Sequence, residues 1–500
     1  MATSSILYRN NEGTVFLIDI PTSIVLAQHL PSPSHQKTSS LETGRERPAP
    51  RKQLYSVPAL ETPFPSPPEP KSDAARARVL ARIPVSERQF HEGIVSFVRQ
   101  GLEQIRDSFE GVSAGAEKRM WCLPRKVMQR EQPEKTIFSA EEPVSDEADS
   151  DRPTKKSRTN TTMGSNDGCH ITRPLLHLPH EPKTEISGVN PTESRPGPPL
   201  ILSPSVNEFE SLLELRNVEV QNPSATPTVI RAYCGTASPA EESTQQDYAA
   251  FNIPPESCFV LCTLRMQSAQ PRSHSPIPGL PGNRKFNLIL LDPPWPNRSV
   301  RRAANYATHA YSDMDGLSRM IRDIILQHLH DGHQDHPDVE HQRGEQDLVA
   351  IWVTNKEKSR IAAYDAIRSA GLSVCEEWVW IKTTTQGEPV TPLDGLWRKP
   401  YEILVIGKRG EKDNNNRDDS SHTTGDLSPQ RRLIAGVPDV HSRKPNLKEL
   451  FEAAFFDSSS ARGRTRYSAL EVFARNLTAG WCACGDEVLK FNHDEWWFEE

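Results

Sequence analysis

Two periods of apolar residues run along this chain and mark where it folds. Behind the capping box Ser86-x-x-Gln89, residues Phe90, Ile94, Phe97, Val98, Leu102, Ile105 and Phe109 recur at helical spacing, which predicts one amphipathic helix. Its apolar stripe needs a cover, either the main body of the protein or a helix of a partner. Further on, runs of strand length take over at residues 286–291, 348–354, 374–382 and 401–407. Helical patterns separate the first three, one behind Ser312-x-x-Asp315 carrying Leu317, Met320, Ile321, Ile324 and Ile325, the other over residues 356–370. Strand, helix, strand in this rhythm predicts an α/β sheet. Shorter strands are expected at residues 228–233, 247–253, 257–264, 467–473 and 487–491. Helices are expected from Ser205, where Ser205-x-x-Glu208 precedes Phe209, Leu212 and Leu213, and over residues 446–456. Within residues 6–30 two β-rich pieces, TVFLIDI and SIVLA, should dock on the main body or on each other.

Composition shrinks the folded part. The 500 residues include 43 prolines, and the mean hydropathy is −0.61, so much of the chain lacks the apolar content to pack. The expected organisation is a short β-rich segment (1–30), a disordered stretch (31–71), a helical element (72–110), a disordered linker (111–203) and a main domain (204–500) with flexible insertions at 328–347 and 409–430. A net charge of −7 gives no global basic field, so attraction to nucleic acid must come from local patches. The eight cysteines are scattered, which argues for a reducing compartment. Cys482, Cys484 and His493 lack zinc-site spacing and a fourth ligand, so no metal is expected. No apolar run reaches membrane-spanning length, and the protein reads as soluble and unsecreted. The basic cluster at residues 152–158 is either a nuclear-import signal or part of a solvated linker.

The chemistry concentrates in KFNLILLDPPWPN, residues 285–297. The apolar run must end at Asp292, because Pro293 and Pro294 cannot donate to a sheet ladder. Apolar on both faces, it reads as a central parallel strand, and ligands bind beyond the carboxyl ends of such strands. Asp292 and Trp295 should therefore face a site. An adenine N6 amine is a poor nucleophile, and two acceptors on its N–H bonds would hold it in a reactive orientation. Asp292 supplies one and the carbonyl of Pro293 or Pro294 the other, while Trp295 offers a face for a base. Downstream, residues 298–311 interleave Arg298, Arg301 and Arg302 with Tyr306 and Tyr311, a composition suited to phosphates and unstacked bases.

These motifs, with WVTNK, EWVWIK, KPYE, HSRKP, LEVFARNL and GWCACGDEVLKF in that order, resemble the adenine-N6 methyltransferases typified by the messenger-RNA adenosine methyltransferase. The detailed run is closest to the branch of methyltransferase-like protein four. The resemblance covers residues 205–500 and implies a Rossmann-like, S-adenosylmethionine-dependent α/β methyltransferase with permuted motif order, the catalytic motif preceding the cofactor motif. It implies Asp292, Pro293, Pro294 and Trp295 as catalytic. Lys444 would meet the methionine carboxylate, Arg475 and Asn476 the ribose side, Asp486 and Glu487 the ribose hydroxyls or adenine, and Cys262, Thr263 and Leu264 the cofactor adenine. Arg298, Arg301, Arg302, Tyr306 and Lys382 would meet the substrate. That substrate would be RNA, first of all (2′-O-methyl)adenosine of small nuclear RNA, or DNA, in the nucleus and without an obligate partner subunit. A catalytically silent scaffold subunit is the rival from another class.

Overall fold

The computed structural model describes residues 3–30, 52–65, 69–70, 72–110, 119–128, 197–233, 248–266, 275–296, 313–330, 347–396, 398–409, 429–456 and 467–499. In chain order the strands are β1 (Ile6–Arg9), β2 (Val15–Ile18), β3 (Lys52–Leu54), β4 (Leu200–Ile201), β5 (Val206–Phe209), β6 (Glu219–Gln221), β7 (Thr228–Tyr233), β8 (Tyr248–Ile253), β9 (Cys258–Leu261), β10 (Leu288–Leu291), β11 (Leu348–Val353), β12 (Ser373–Lys382), β13 (Tyr401–Lys408), β14 (Gln430–Gly436), β15 (Ala469–Val472), β16 (Cys482–Gly485) and β17 (Trp497–Glu499). The helices are α1 (Ile20–Ala27), α2 (Asp73–Arg82), α3 (Val85–Glu110), α4 (Met314–His328), α5 (Glu357–Ser369) and α6 (Lys448–Phe451).

Among the described residues, twelve strands form one mixed sheet in the order β1-β2-β14-β12-β13-β11-β10-β15-β16-β9-β6-β4. β10 is parallel to both neighbours, Leu288 pairing with Leu348 of β11 and with Ala469 of β15. The chain leaves β10 toward β11 and comes back on its other side in β15, so the strand order reverses at β10. Such a switch point opens a crevice at the carboxyl ends of the strands. Asp292 is the first residue beyond the end of β10, and its N–H donates to Val472 O at the end of β15 (3.2 Å).

Alternation along β10 splits the core. Ile289 and Leu291 pack with α4, α5 and the apolar stripe of α3 (Ile94, Val98, Leu102, Ile105). Leu288 and Leu290 pack on the other face with Trp352, Trp378, Trp380, Phe451 and Ile20 and Ile24 of α1. The main body is thus the cover for the α3 stripe. The approach is close because Gly101 faces the sheet: a Cβ there would lie 2.4 Å from Leu433 Cδ2. None of the described helices is long and apolar enough to cross a membrane.

Several expectations need correction. SIVLA is part of helix α1, because Asp19 caps it by accepting from Thr22 N–H and Pro21 fits its first turn. Residues 206–209 are strand β5, parallel to β7, and the capping box that forms is Ser211 with Glu214, on a short 3-10 turn. The last strand of the twelve-stranded sheet is β16, within residues 474–486, where small buried residues fit between β15 and β9; residues 490–492 are a 3-10 turn. The stretches 31–71 and 111–203, expected to be disordered, contain segments fixed to the body. β3 pairs with β17, and Trp121 and Leu202 are buried. The rest of those stretches, the basic cluster at 152–158, and nearly all of the insertions 328–347 and 409–430 lie outside the described residues.

Candidate active site

Beyond the ends of β10 and β15 lies an open pocket of about 480 Å³, open solvent included, lined by Asp292, Trp352, Lys444, Glu471, Arg475 and Asn476 among others. Asp292 sits between two cations. Lys444 Nζ is 3.5 Å from one carboxylate oxygen, and Arg475 Nη1 donates to the other at 3.3 Å. Each cation has a second anion, Glu402 for Lys444 and Glu487 for Arg475 (2.9 Å). Lys382 closes on Glu402 (2.7 Å) and Lys490 on Glu487 (2.7 Å). The result is a chain of seven alternating charges with Asp292 at its centre. Burial alone would raise the pKa of Glu402, but Lys382 and Lys444 hold it far below the usual carboxylate range. Burial would lower that of Lys444, yet Asp292 and Glu402 keep it above its ordinary value. The ammonium of Lys444 lies 4.9 Å from the centre of the Trp352 ring, a cation–π contact that adds to its stabilisation.

Two strained turns shape the pocket walls. Ser442 and Phe473 carry φ of 67° and 61° without being glycine, a conformation that costs of order ~1–3 kcal/mol each and collects at functional sites. β16 passes under the Phe473 bend because position 485 is glycine, φ 150°, where a Cβ would come within 3.2 Å of Phe473 Cα. Beside Ser442, Arg443 is fully buried and pairs with buried Asp439 at 2.8 Å, and its guanidinium lies 4.5 and 4.6 Å from the Phe491 and Trp496 ring centres. That buried pair anchors the loop that presents Lys444.

The expected site residues separate into groups. Asp292, Lys444, Arg475 and Asn476 meet in the pocket. Glu487 joins through Arg475, and Asp486 lies beside it with its pKa raised by burial and by the Glu487 charge. Lys382 belongs through Glu402. Cys262, Thr263 and Leu264 follow β9 on the same edge of the sheet but do not line the pocket; Cys262 N–H donates to Gly485 O (3.2 Å), and Cys262 and Leu264 are buried. Two expectations about the motif change. The Pro293 carbonyl accepts from Trp295 N–H (2.8 Å), which leaves Pro294 O as the acceptor without a hydrogen bond among the described residues. Trp295 is 6% exposed and donates Nε1–H to Trp352 O (2.7 Å). Its ring therefore locks the motif to β11 instead of lying open as a stacking face. Arg298, Arg301, Arg302 and Tyr306 lie outside the described residues.

Sequence reading missed Glu402 and Glu471 as site residues. The available signal was an acid inside an otherwise buried strand, a placement that demands a partner or a proton. Burial, and then the charge of Asp292, push the Glu471 carboxyl up to about 8, with Arg475 opposing. An unfolded glutamate titrates near ~4.3, so between that value and about 8 the native state holds the extra proton and loses stability as pH rises. Glu471→Gln, which mimics the protonated acid, should melt with the wild type near pH ~4 and several degrees above it near pH ~9. A melting difference that stays constant across that range would mean that Glu471 is ionised in the native state.

The sheet is of the Rossmann-like α/β type, with its charged pocket at the strand-order switch. Residues 286–487 match the MT-A70 family model. The chain is 38% identical over 221 residues to the N6-methyladenosine RNA methyltransferase MTA1 of Cryphonectria parasitica, covering 43% of this chain and 55% of that one. To the protein of the same name from Pyricularia oryzae it is 28% identical over 504 residues, 99% of this chain and 96% of that one. To the N(6)-adenine-specific methyltransferase METTL4 of Mus musculus it is 32% identical over 247 residues, 48% and 44% of the two chains. The alignments thus span about half of the Cryphonectria and mouse proteins and nearly all of the Pyricularia one.

Proposed function

We propose that the protein is an enzyme that moves the methyl group of S-adenosylmethionine to N6 of an adenine in RNA. The observation that carries this reading is Asp292, set at the switch point between Lys444 and Arg475 and followed at once by two prolines. The donor set fits the cofactor. Lys444 and Arg475 suit a carboxylate, and the Glu471 carboxyl beside them can accept from an ammonium. Glu487, Asp486 and residues 262–264 continue along the same sheet edge toward a ribose and a purine. When bound, the cofactor supplies an electrophilic methyl on sulfur. Asp292 and Pro294 O then accept the two N–H bonds of the amine and hold its lone pair in line. Trp295, fixed on Trp352, keeps that turn rigid.

The names of the two fungal relatives favour RNA over DNA. The narrower substrate is (2′-O-methyl)adenosine of small nuclear RNA, bound through Arg298, Arg301, Arg302, Tyr306 and Lys382, with action in the nucleus and without an obligate partner subunit. Incubation with the cofactor and RNA or DNA oligonucleotides, followed by nucleoside mass spectrometry, should yield N6-methylated adenosine from RNA. Lys444→Ala should need roughly ten- to hundredfold more cofactor, since a lost charge-assisted bond costs ~1.5–3 kcal/mol. Product from DNA alone, or none from either, would overturn the reading.

A further inference from the structure

The loops that carry Lys444 and Arg475 have no ladder of their own, and residues from the first 128 positions bond to them. Arg125 donates from Nη2 to Val437 O and from Nη1 to Pro438 O, both at 2.8 Å. Tyr55 O accepts from Arg443 Nη1 (2.9 Å), and Ser23 Oγ accepts from Asn446 N–H (3.0 Å). On the second loop, Gln28 Nε2 donates to Leu477 O (2.8 Å), and Ala27 O accepts from Ala479 N–H (2.8 Å). Asn492 completes that clasp: its Oδ1 takes Leu477 N–H (2.7 Å) and its Nδ2 donates to Gln28 Oε1 (3.0 Å). Asn446 Nδ2, bonded to Thr478 Oγ1 (2.8 Å), ties the two loops together.

We infer that this N-terminal arm is a built-in brace that sets the cofactor-side loops, with Arg125 and Gln28 as positioning residues for Lys444 and Arg475. Neither residue lines the pocket. Functional groups must be held to within about 0.5 Å by the residues that support them, and irregular loops are the first parts of a protein to open locally. A planar guanidinium fork is preorganised for two successive carbonyls, whereas a lysine ammonium offers its donors without that fixed geometry.

The test uses the full chain as Arg125→Ala, Arg125→Lys and, as a stability control, Ile94→Val on the far face of the sheet. Amide exchange of the ligand-free protein and calorimetry with S-adenosylmethionine are the readouts. Arg125→Ala should speed exchange at residues 437–447 and weaken cofactor affinity roughly tenfold, the scale of one to two lost hydrogen bonds. The Michaelis constant for nucleic acid should not move, and Arg125→Lys should fall between. Ile94→Val should lower the melting temperature and leave both readouts alone. Unchanged exchange in Arg125→Ala, or an affinity loss that Ile94→Val reproduces at equal melting temperature, overturns the inference. The affinity readout rests on the function proposed above and the exchange readout does not. Faster exchange beside a wild type that binds no S-adenosylmethionine would support the brace and sink that function instead.

Discussion

Asp292→Asn is expected to lower turnover in methyl transfer by at least about a hundredfold, the scale seen when a preorganised polar contact is deleted. The variant keeps the shape of the side chain and removes the central negative charge of the pocket. In the ligand-free protein Lys444 retains Glu402 and Arg475 retains Glu487, so the fold should hold and the melting temperature should move little. Cofactor affinity should also survive in large part, because both cations stay in place. The loss should therefore appear in kcat. Near-normal turnover in Asp292→Asn would remove the carboxylate from the chemistry and leave the motif as a structural turn.

The largest loss of stability should come from Arg443→Ala. Breaking its pair with Asp439 leaves a carboxylate buried without its cation, which costs ~3–5 kcal/mol, more than the intact pair is worth against an apolar substitute. The truncation also removes the guanidinium that lies over the Phe491 and Trp496 rings. The double variant Arg443→Met with Asp439→Leu should recover much of that loss, because no unpaired charge remains. Thermal melts of the single and double variants decide this. A single variant as stable as the wild type would mean that Asp439 finds another partner or takes up a proton.

What the sequence disclosed follows from how each element reports itself. β10 was legible because a strand buried on both faces must be apolar throughout, and its stop at Asp292 is written in two prolines. α3 was legible from its 3.6-residue stripe, whereas HSRKP and FARNL were set beside DPPW only by the resemblance to a known family. SIVLA was misread because a short apolar run has no readable period; Asp19 and Pro21, a cap and a first-turn proline, were the signals that could have found the helix. The segments at 52–57 and 119–128 were hidden by their Pro- and Ser-rich surroundings. What fixes them is a handful of distant pairs, such as Arg125 with Val437 and Leu54 with Trp497, and such pairs leave no local mark. Glu402 and Glu471 were visible as acids in apolar strands, but their meaning depends on Lys444 and Asp292, which only the fold brings near.

The pairing of β2 with β14, Val15 opposite Leu433, also fixes a timetable for synthesis. A ribosome adding about 5–20 residues per second makes the partner strand roughly 20–80 s after β2 has emerged. Throughout that wait VFLI, buried at every position in the finished protein, is an apolar strand with an open edge, the feature that invites aggregation. The nascent chain therefore depends on holding β2 out of trouble, by pairing with β1 or by a chaperone, until more than four hundred further residues have been made. Slowing translation between the codons for β2 and β14 should lower the soluble yield, whereas slowing it beyond β14 should not.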